Sequence, residues 1–380
     1  MLSKNVKNIL FLIFCYLVLY YISSSYMYAR HDPSLLATGY DAGRYTNLKS
    51  FFDGSVSGQK TAWHLFFTYT LFITLLEKIN LLNHYVEIQY VVFYISSILF
   101  YKSLINFNFS KLTSCFATGF VVCNPFLIFW IHTLNHAGLT VSLLMITFYF
   151  LSRYDHAILF KIFFFITIFL LLKIDGKVFF TVFMILFYRF ILFQKNNYIT
   201  NLLILSIFFI LYFIYLNKFA IGLEDFSASY LQNDIRYNYF IAPNINSDVM
   251  ATYEKCLITQ YNSLYNHFCA LIDNPLYSIK LYSARLFLLL TWINTKLSFK
   301  YNFFAFGMMI FLYFGLMINL LKTKFTKFKF FLLSTYMLTM VIILPYILRG
   351  DQKQVFYGLI FIVPLSFSGY EILFNYIKKR

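Results

Sequence analysis

Charged residues are scarce in this chain. Asp, Glu, Lys and Arg make up 12% of its 380 residues, while 60% are hydrophobic. A soluble domain carries about 25% charged residues, so this balance excludes an ordinary water-exposed globule and predicts an all-α polytopic membrane protein. Nucleotide and hydrolase signatures are missing too: the chain has no GxGxxG, P-loop, GxSxG or CxxC pattern. Nucleotide-dependent and soluble-hydrolase chemistry therefore have no support. No internal repeat, heptad or low-complexity tract stands out. Only five cysteines are present, and Cys15, Cys115 and Cys123 lie in apolar stretches where a thiol is a packing group.

What the chain has is apolar length, aromatics and positive charge. Stretches long enough to cross a bilayer, roughly 17 to 25 residues each, run near 8–28, 86–105, 112–131, 136–152, 158–174, 178–194, 200–217, 301–321, 329–348 and 354–376. The first has no small-residue cleavage site and is too long for a signal core, so it reads as a retained anchor. The 50 Phe and 33 Tyr fit composition drift and interfacial belts better than a carbohydrate platform. The net charge of +16 is spread between the apolar stretches, where topology and lipid headgroups account for it, so no nucleic-acid partner is expected.

Two stretches are ambiguous: 62–82, which carries His64 and ends in Glu77-Lys78, and 278–294, which carries Lys280 and Arg285. Treating both as interfacial or re-entrant leaves ten spans. The basic clusters Lys102/Lys111, Arg153, Arg189/Lys195, Lys322–Lys329 and Lys378–Arg380 then fall on one side with both termini, the cytoplasmic side by the positive-inside rule. The whole of 1–380 reads as one membrane domain. The opposite side receives the loop 29–61, with an amphipathic stretch at 42–53, and the longer loop 218–277, together with the turn at His132–His136, the run Lys173–Lys177 and the run Arg349–Gln354. Cations on that side run against topology preference, and binding an anion is a reason for them.

The loop 29–61 holds Tyr40-Asp41-Ala42-Gly43-Arg44-Tyr45, a carboxylate beside the bilayer surface within reach of water and of a lipid-borne molecule. That suits a general base; an N-cap for the stretch after it is the plainer alternative. His132 and His136 have i, i+4 spacing but no HExxH frame, so a divalent metal is possible without being supported, and no cofactor is expected. Cys256 and Cys269 share the polar loop 218–277 and form either a disulfide or two free thiols.

Four stretches in order carry a resemblance. They are His31-Asp32-Pro33 through Gly39–Tyr45 to Asp53-Gly54; Asn124-Pro125-Phe126 through His132 to His136; Lys173-Ile174-Asp175-Gly176; and Arg349 through Tyr357 to Pro364. Together they resemble the GT-C superfamily of membrane glycosyltransferases, which use polyprenyl-phosphate sugars, and in size the bacterial group that modifies O-antigen, lipopolysaccharide or other lipid-linked glycans of the cell envelope. The resemblance implies a multi-pass inner-membrane enzyme with a periplasmic active site, a polyprenyl-phosphate-sugar donor and a lipid-linked glycan acceptor. It implies Asp41 as general base, and Arg44, Lys173, Lys177, Arg285, Arg349 and Lys353 as donor-phosphate ligands. Tyr40, Tyr45, His136, Asp175, Asp351 and Tyr357 are then substrate contacts, and loop 218–277 covers the cavity.

One departure matters. Many relatives carry a second acid in the second external turn, where this chain has Asn135-His136. A two-carboxylate or metal-bridged mechanism is therefore not expected. Arg44 alternatively pairs with Asp41, and Lys173 and Lys177 alternatively snorkel around a local ion pair. A glycan polymerase of the O-antigen type and a lipid-linked glycan flippase remain the rival readings. A flippase should carry polar residues inside many spans, whereas here they gather at one membrane face.

Overall fold

The computed structural model describes residues 66–132, 135–175, 178–193, 198–219, 275–291, 299–343 and 355–379, with Leu10, Ile13, Leu17 and Ile272. Every regular element among them is helical. The helices are α1 Phe67–Lys78, α2 Tyr85–Asn106, α3 Lys111–Val122, α4 Pro125–His132, α5 His136–Ser152 and α6 Ile158–Leu172. They continue with α7 Phe179–Phe187, α8 Tyr198–Phe219, α9 Pro275–Thr291, α10 Phe299–Lys322, α11 Lys327–Ile343 and α12 Val355–Lys379. Among the described residues, three segments are long and apolar enough to cross a membrane: Leu82–Asn106, Asn302–Lys322 and Val355–Lys379. Shorter apolar helices, α3, α5 and α6 among them, accompany these.

Two compact units are present. The first comprises Met1–Leu202, Phe311–Thr339 and Lys353–Arg380; the second comprises Leu203–Ile310 and Met340–Gln352. In the second, Leu289, Ala305 and Met309 are buried while Phe299 and Phe303 are exposed. In the first, α2 packs along α5, α5 against α6, and α3 against α12. Its centre is aromatic. Phe100, Phe148, Phe331 and Phe361 are fully buried, and the Phe148 ring lies 5.7 Å from Phe100 and 5.1 Å from Phe361. Edge-to-face and tilted rings fill the space between helices without polar atoms. Among the described residues more phenylalanines are exposed, such as Phe163, Phe169, Phe304 and Phe314, than are buried in this core.

The expected span 112–131 is divided. Pro125 lacks an N–H and disfavours a helical residue before it, so α3 ends at Val122 and α4 starts afresh at Pro125. Asn124 Oδ1 accepts from Leu127 N at 3.4 Å and begins the new helix. Apolarity is continuous across this break, which is why hydropathy alone merges the two helices.

Helix α1 covers the middle of the ambiguous stretch 62–82. Its 12 residues span about 18 Å, well short of a hydrocarbon core of about 30 Å. Its first turn is tied to the end of α6, with Thr68 N donating to Lys173 O at 3.0 Å and Thr68 Oγ1 to Leu170 O at 2.8 Å. After Lys78 the chain turns through Asn80, at φ 55°, and starts α2 at the buried Tyr85.

Contacts within the first unit sort the helix ends into two groups. At one end, Asn106 Nδ2 donates to Ser152 Oγ at 3.0 Å, Ser110 and Thr113 donate to Glu371 Oε2 at 2.5 Å, and Lys327 Nζ donates to Leu192 O at 3.0 Å. Arg189, in a π-helical turn at Tyr188–Leu192, binds Asp155 at 2.5 Å and lies 4.2 Å over the Tyr154 ring. Burial pushes the Tyr154 phenol up, the Arg189 charge pulling the other way. Among the described residues, the helix ends that carry Lys111, Arg153, Arg189, Lys327 and Lys378 are therefore assembled at this end. The other end holds Thr68, Gln89, Ile131, His136, Lys173 and Tyr357.

Candidate functional site

The site grows from the start of α5. Asn135 is extended, and its Oδ1 accepts from Ala137 N at 2.9 Å, capping the helix. That sets His136 as the first helical residue. Thr140 Oγ1 donates to His136 O at 2.9 Å, and Gln89 Nε2 of α2 donates to Ile131 O at 3.1 Å. Gly138 lets α4 approach, since a Cβ there would lie 2.8 Å from Ile131 Cγ1. The His136 ring is thereby held in a well-defined place, with 3% of the residue exposed.

Asp175 enters from the α6–α7 connection. Helix α6 ends at Leu172, Ile174 and Asp175 are buried, and Val178 N donates to Asp175 O at 3.0 Å. Asp175 Oδ2 lies 3.1 Å from His136 Nε2. Tyr357, in the first turn of α12 and fully buried, donates its phenolic O–H to the same Oδ2 at 3.2 Å. A buried carboxylate with charge-directed donors is what keeps such a group tolerable away from water. The Phe66 ring lies 4.9 Å from the His136 ring, and Tyr69 meets it edge-on at 6.4 Å.

Three of the expected substrate contacts, His136, Asp175 and Tyr357, are thus one cluster. Lys173 is half-buried and its carbonyl holds α1. Arg285 lies in α9, in the second unit, with its side chain outside the described residues. Asp41, Arg44, Tyr40, Tyr45, Lys177, Arg349, Asp351, Lys353, Cys256 and Cys269 all lie outside the described residues, as do the loops 29–61 and 220–271. The described chain nevertheless re-enters after three of these segments at Phe66, Val178 and Val355.

Sequence reasoning overlooked three things here. The turn Asn135-His136 has no acid of its own, yet Asp175 stands beside it, 39 residues further along. Phe66 and Tyr69 gave no signal, because an aromatic at the start of an apolar stretch is ordinary. Gln89 was readable as a buried amide in a span, a feature that needs a partner wherever it occurs.

The chain matches no protein-family model, no curated protein and no solved structure.

Proposed function

We propose that this protein is a membrane glycosyltransferase that moves a sugar from a polyprenyl-phosphate donor to a glycan or lipid-linked acceptor. One observation supports this reading above the rest. Four stretches of the chain resemble the GT-C superfamily, and His136, Asp175 and Tyr357 from the last three meet at one buried point. The first leads into Phe66 and Tyr69, whose rings contact His136.

In the proposed reaction Asp41 accepts the proton of an acceptor hydroxyl as its oxygen bonds the anomeric carbon. The bond from that carbon to the phosphate oxygen breaks, and polyprenyl phosphate leaves with the electron pair. Arg44, Lys173, Lys177, Arg349 and Lys353 are the cations proposed to neutralise it, with Arg285 a further candidate. The His136–Asp175–Tyr357 cluster contacts sugar. Ten spans, cytoplasmic termini and a periplasmic site in a bacterial inner membrane complete the reading. It is supported by the gathering of the described basic clusters at the end opposite the site.

The test is transfer by purified protein in proteoliposomes, using radiolabelled polyprenyl-phosphate hexoses and pentoses with lipid-linked glycan acceptors. Release of polyprenyl phosphate with labelled product is expected, and Asp41→Asn should abolish it without changing yield or thermal unfolding. Normal product formation by Asp41→Asn removes Asp41 from the base role. Absence of turnover across the donor panel sinks the transferase reading.

A further inference from the structure

At the basic end of the first unit, cations outnumber acids around Tyr154. Arg189 lies 4.2 Å over the Tyr154 ring, Lys161 Nζ is 5.6 Å from its centroid, and Arg153 precedes it in the chain. Arg189 is nearly buried and takes up the charge of Asp155 through their 2.5 Å bond. Arg153 and Lys161 are half-exposed. Among the described residues neither has a carboxylate partner: Arg153 Nη1 donates to the His156 Nε2 at 3.4 Å, and its Nε–H finds no acceptor. Two positive charges are thus left uncompensated. Ala157 gives α6 no side-chain cap, so the positive end of that helix adds to the same field.

An apolar stripe starts at this point. Lys161, Phe165 and Phe169 follow one another at i, i+4 spacing on one face of α6, and the two phenylalanines are 47% and 52% exposed. Phe165 meets the Tyr154 ring edge-on at 6.3 Å and stacks beside Phe190 at 6.3 Å. Tyr154 therefore joins the unpaired cations to the exposed aromatic face.

We propose that Arg153 and Lys161 hold the phosphate of an anionic bilayer phospholipid whose acyl chain lies along Phe165 and Phe169. The choice of occupant follows from charge and from the stripe. A guanidinium and an ammonium with donors to spare suit a phosphate, and basic sites between helices at the cytoplasmic face bind anionic headgroups. A soluble anion would leave Phe165 and Phe169 bare. A zwitterionic headgroup would bring its own cation toward two unpaired ones, with Asp155 already engaged by Arg189. The site requires only that the chain be embedded in a membrane, and it stands whether or not sugar is transferred.

The experiment counts the lipids carried by the full chain in native mass spectra, after release from phosphatidylcholine nanodiscs doped with phosphatidylglycerol. Wild type should retain phosphatidylglycerol in preference to phosphatidylcholine. The double variant Arg153→Gln/Lys161→Gln should bind it about 10- to 30-fold more weakly, from the usual contribution of each cation near an anionic headgroup. Lys378→Gln/Lys379→Gln removes the same charge from the exposed end of α12 and should leave binding within about twofold, because charges on a wet surface are screened over short distances. Lys161→Gln alone should weaken retention while Lys161→Arg keeps it, which separates the site from a folding defect in the double variant.

Equal losses in the two double variants overturn the proposal, since they would reveal general surface charge in place of a site. Phosphatidylcholine held as firmly as phosphatidylglycerol overturns it as well. So does displacement of phosphatidylglycerol by inorganic phosphate, which has no chain to lay on the stripe, or by polyprenyl monophosphate at equal concentration, which would assign the site to the carrier lipid.

Discussion

Tyr357 and Asp175 are 182 residues apart in sequence and joined by a 3.2 Å hydrogen bond in a buried place. The bond ties the first turn of α12 to the connection between α6 and α7, and so holds the site together from two directions. Tyr357→Phe keeps the ring and removes one donor from a carboxylate that water cannot easily reach. We expect a loss of about 1.5 to 3 kcal/mol in stability, the range for a hydrogen bond to a charged group. Unfolding midpoints in a fixed detergent check this, with Tyr313→Phe as a comparison, because its 2.6 Å partner is the neutral Tyr336 hydroxyl. A smaller loss for Tyr357→Phe than for Tyr313→Phe would contradict the assignment.

Helices α10 and α12 cross at two glycines. A Cβ on Gly369 would overlap the Gly315 carbonyl oxygen, and one on Gly315 would meet the Ser366 carbonyl and the Tyr370 ring. Close approach of backbones through small residues is how apolar helices associate without a hydrophobic drive. Gly369→Ala should therefore destabilise by about 1 to 3 kcal/mol or more. Gly307→Ala should not, because nothing lies within 4 Å of its Cβ position, and it should gain up to about 1 kcal/mol from helix propensity. Thermal unfolding of the two variants side by side is the measurement, and equal effects would argue against the crossing.

At the basic end, Arg189 is nearly buried and lies over Tyr154 and Phe193, while its partner Asp155 has 60% of its side chain exposed. An exposed partner contributes little, so Asp155→Asn should cost under about 1 kcal/mol. Arg189→Ala removes stacking and packing as well as charge and should cost two to three times as much. Arg189→Lys should resemble Arg189→Ala more than wild type, because an ammonium does not stack as a planar guanidinium does. Chemical denaturation midpoints of the three variants decide the order.

In the proposed topology the two groups of helix ends face opposite sides of the membrane. His84 is exposed just before α2, and Lys324 is exposed between α10 and α11. In a cysteine-depleted background, His84→Cys should react with a membrane-impermeant thiol reagent in intact cells. Lys324→Cys should react only after the membrane is ruptured. The reverse pattern would place the site in the cytoplasm and favour a nucleotide-sugar donor.

The helical character of the chain and most helix positions were legible in the sequence. Runs of 17 or more apolar residues have only one way to satisfy their backbone groups in lipid, and that is within the run itself. The charges between the runs were informative for the same local reason, and the basic clusters they mark do come together. The break at Asn124-Pro125 was visible as a proline but was outvoted by continuous apolarity, although a missing N–H acts on the backbone whatever the hydropathy. The partnership of His136, Asp175 and Tyr357 was legible only as three separate polar residues at apolar boundaries. Which of them touch depends on how α5, α6 and α12 pack, and that is set by aromatic side chains such as Phe148 and Phe361 fitting against one another. Local pattern determines an element that satisfies itself; a site shared by three helices is decided by their packing, because no short stretch of chain contains more than one of its members.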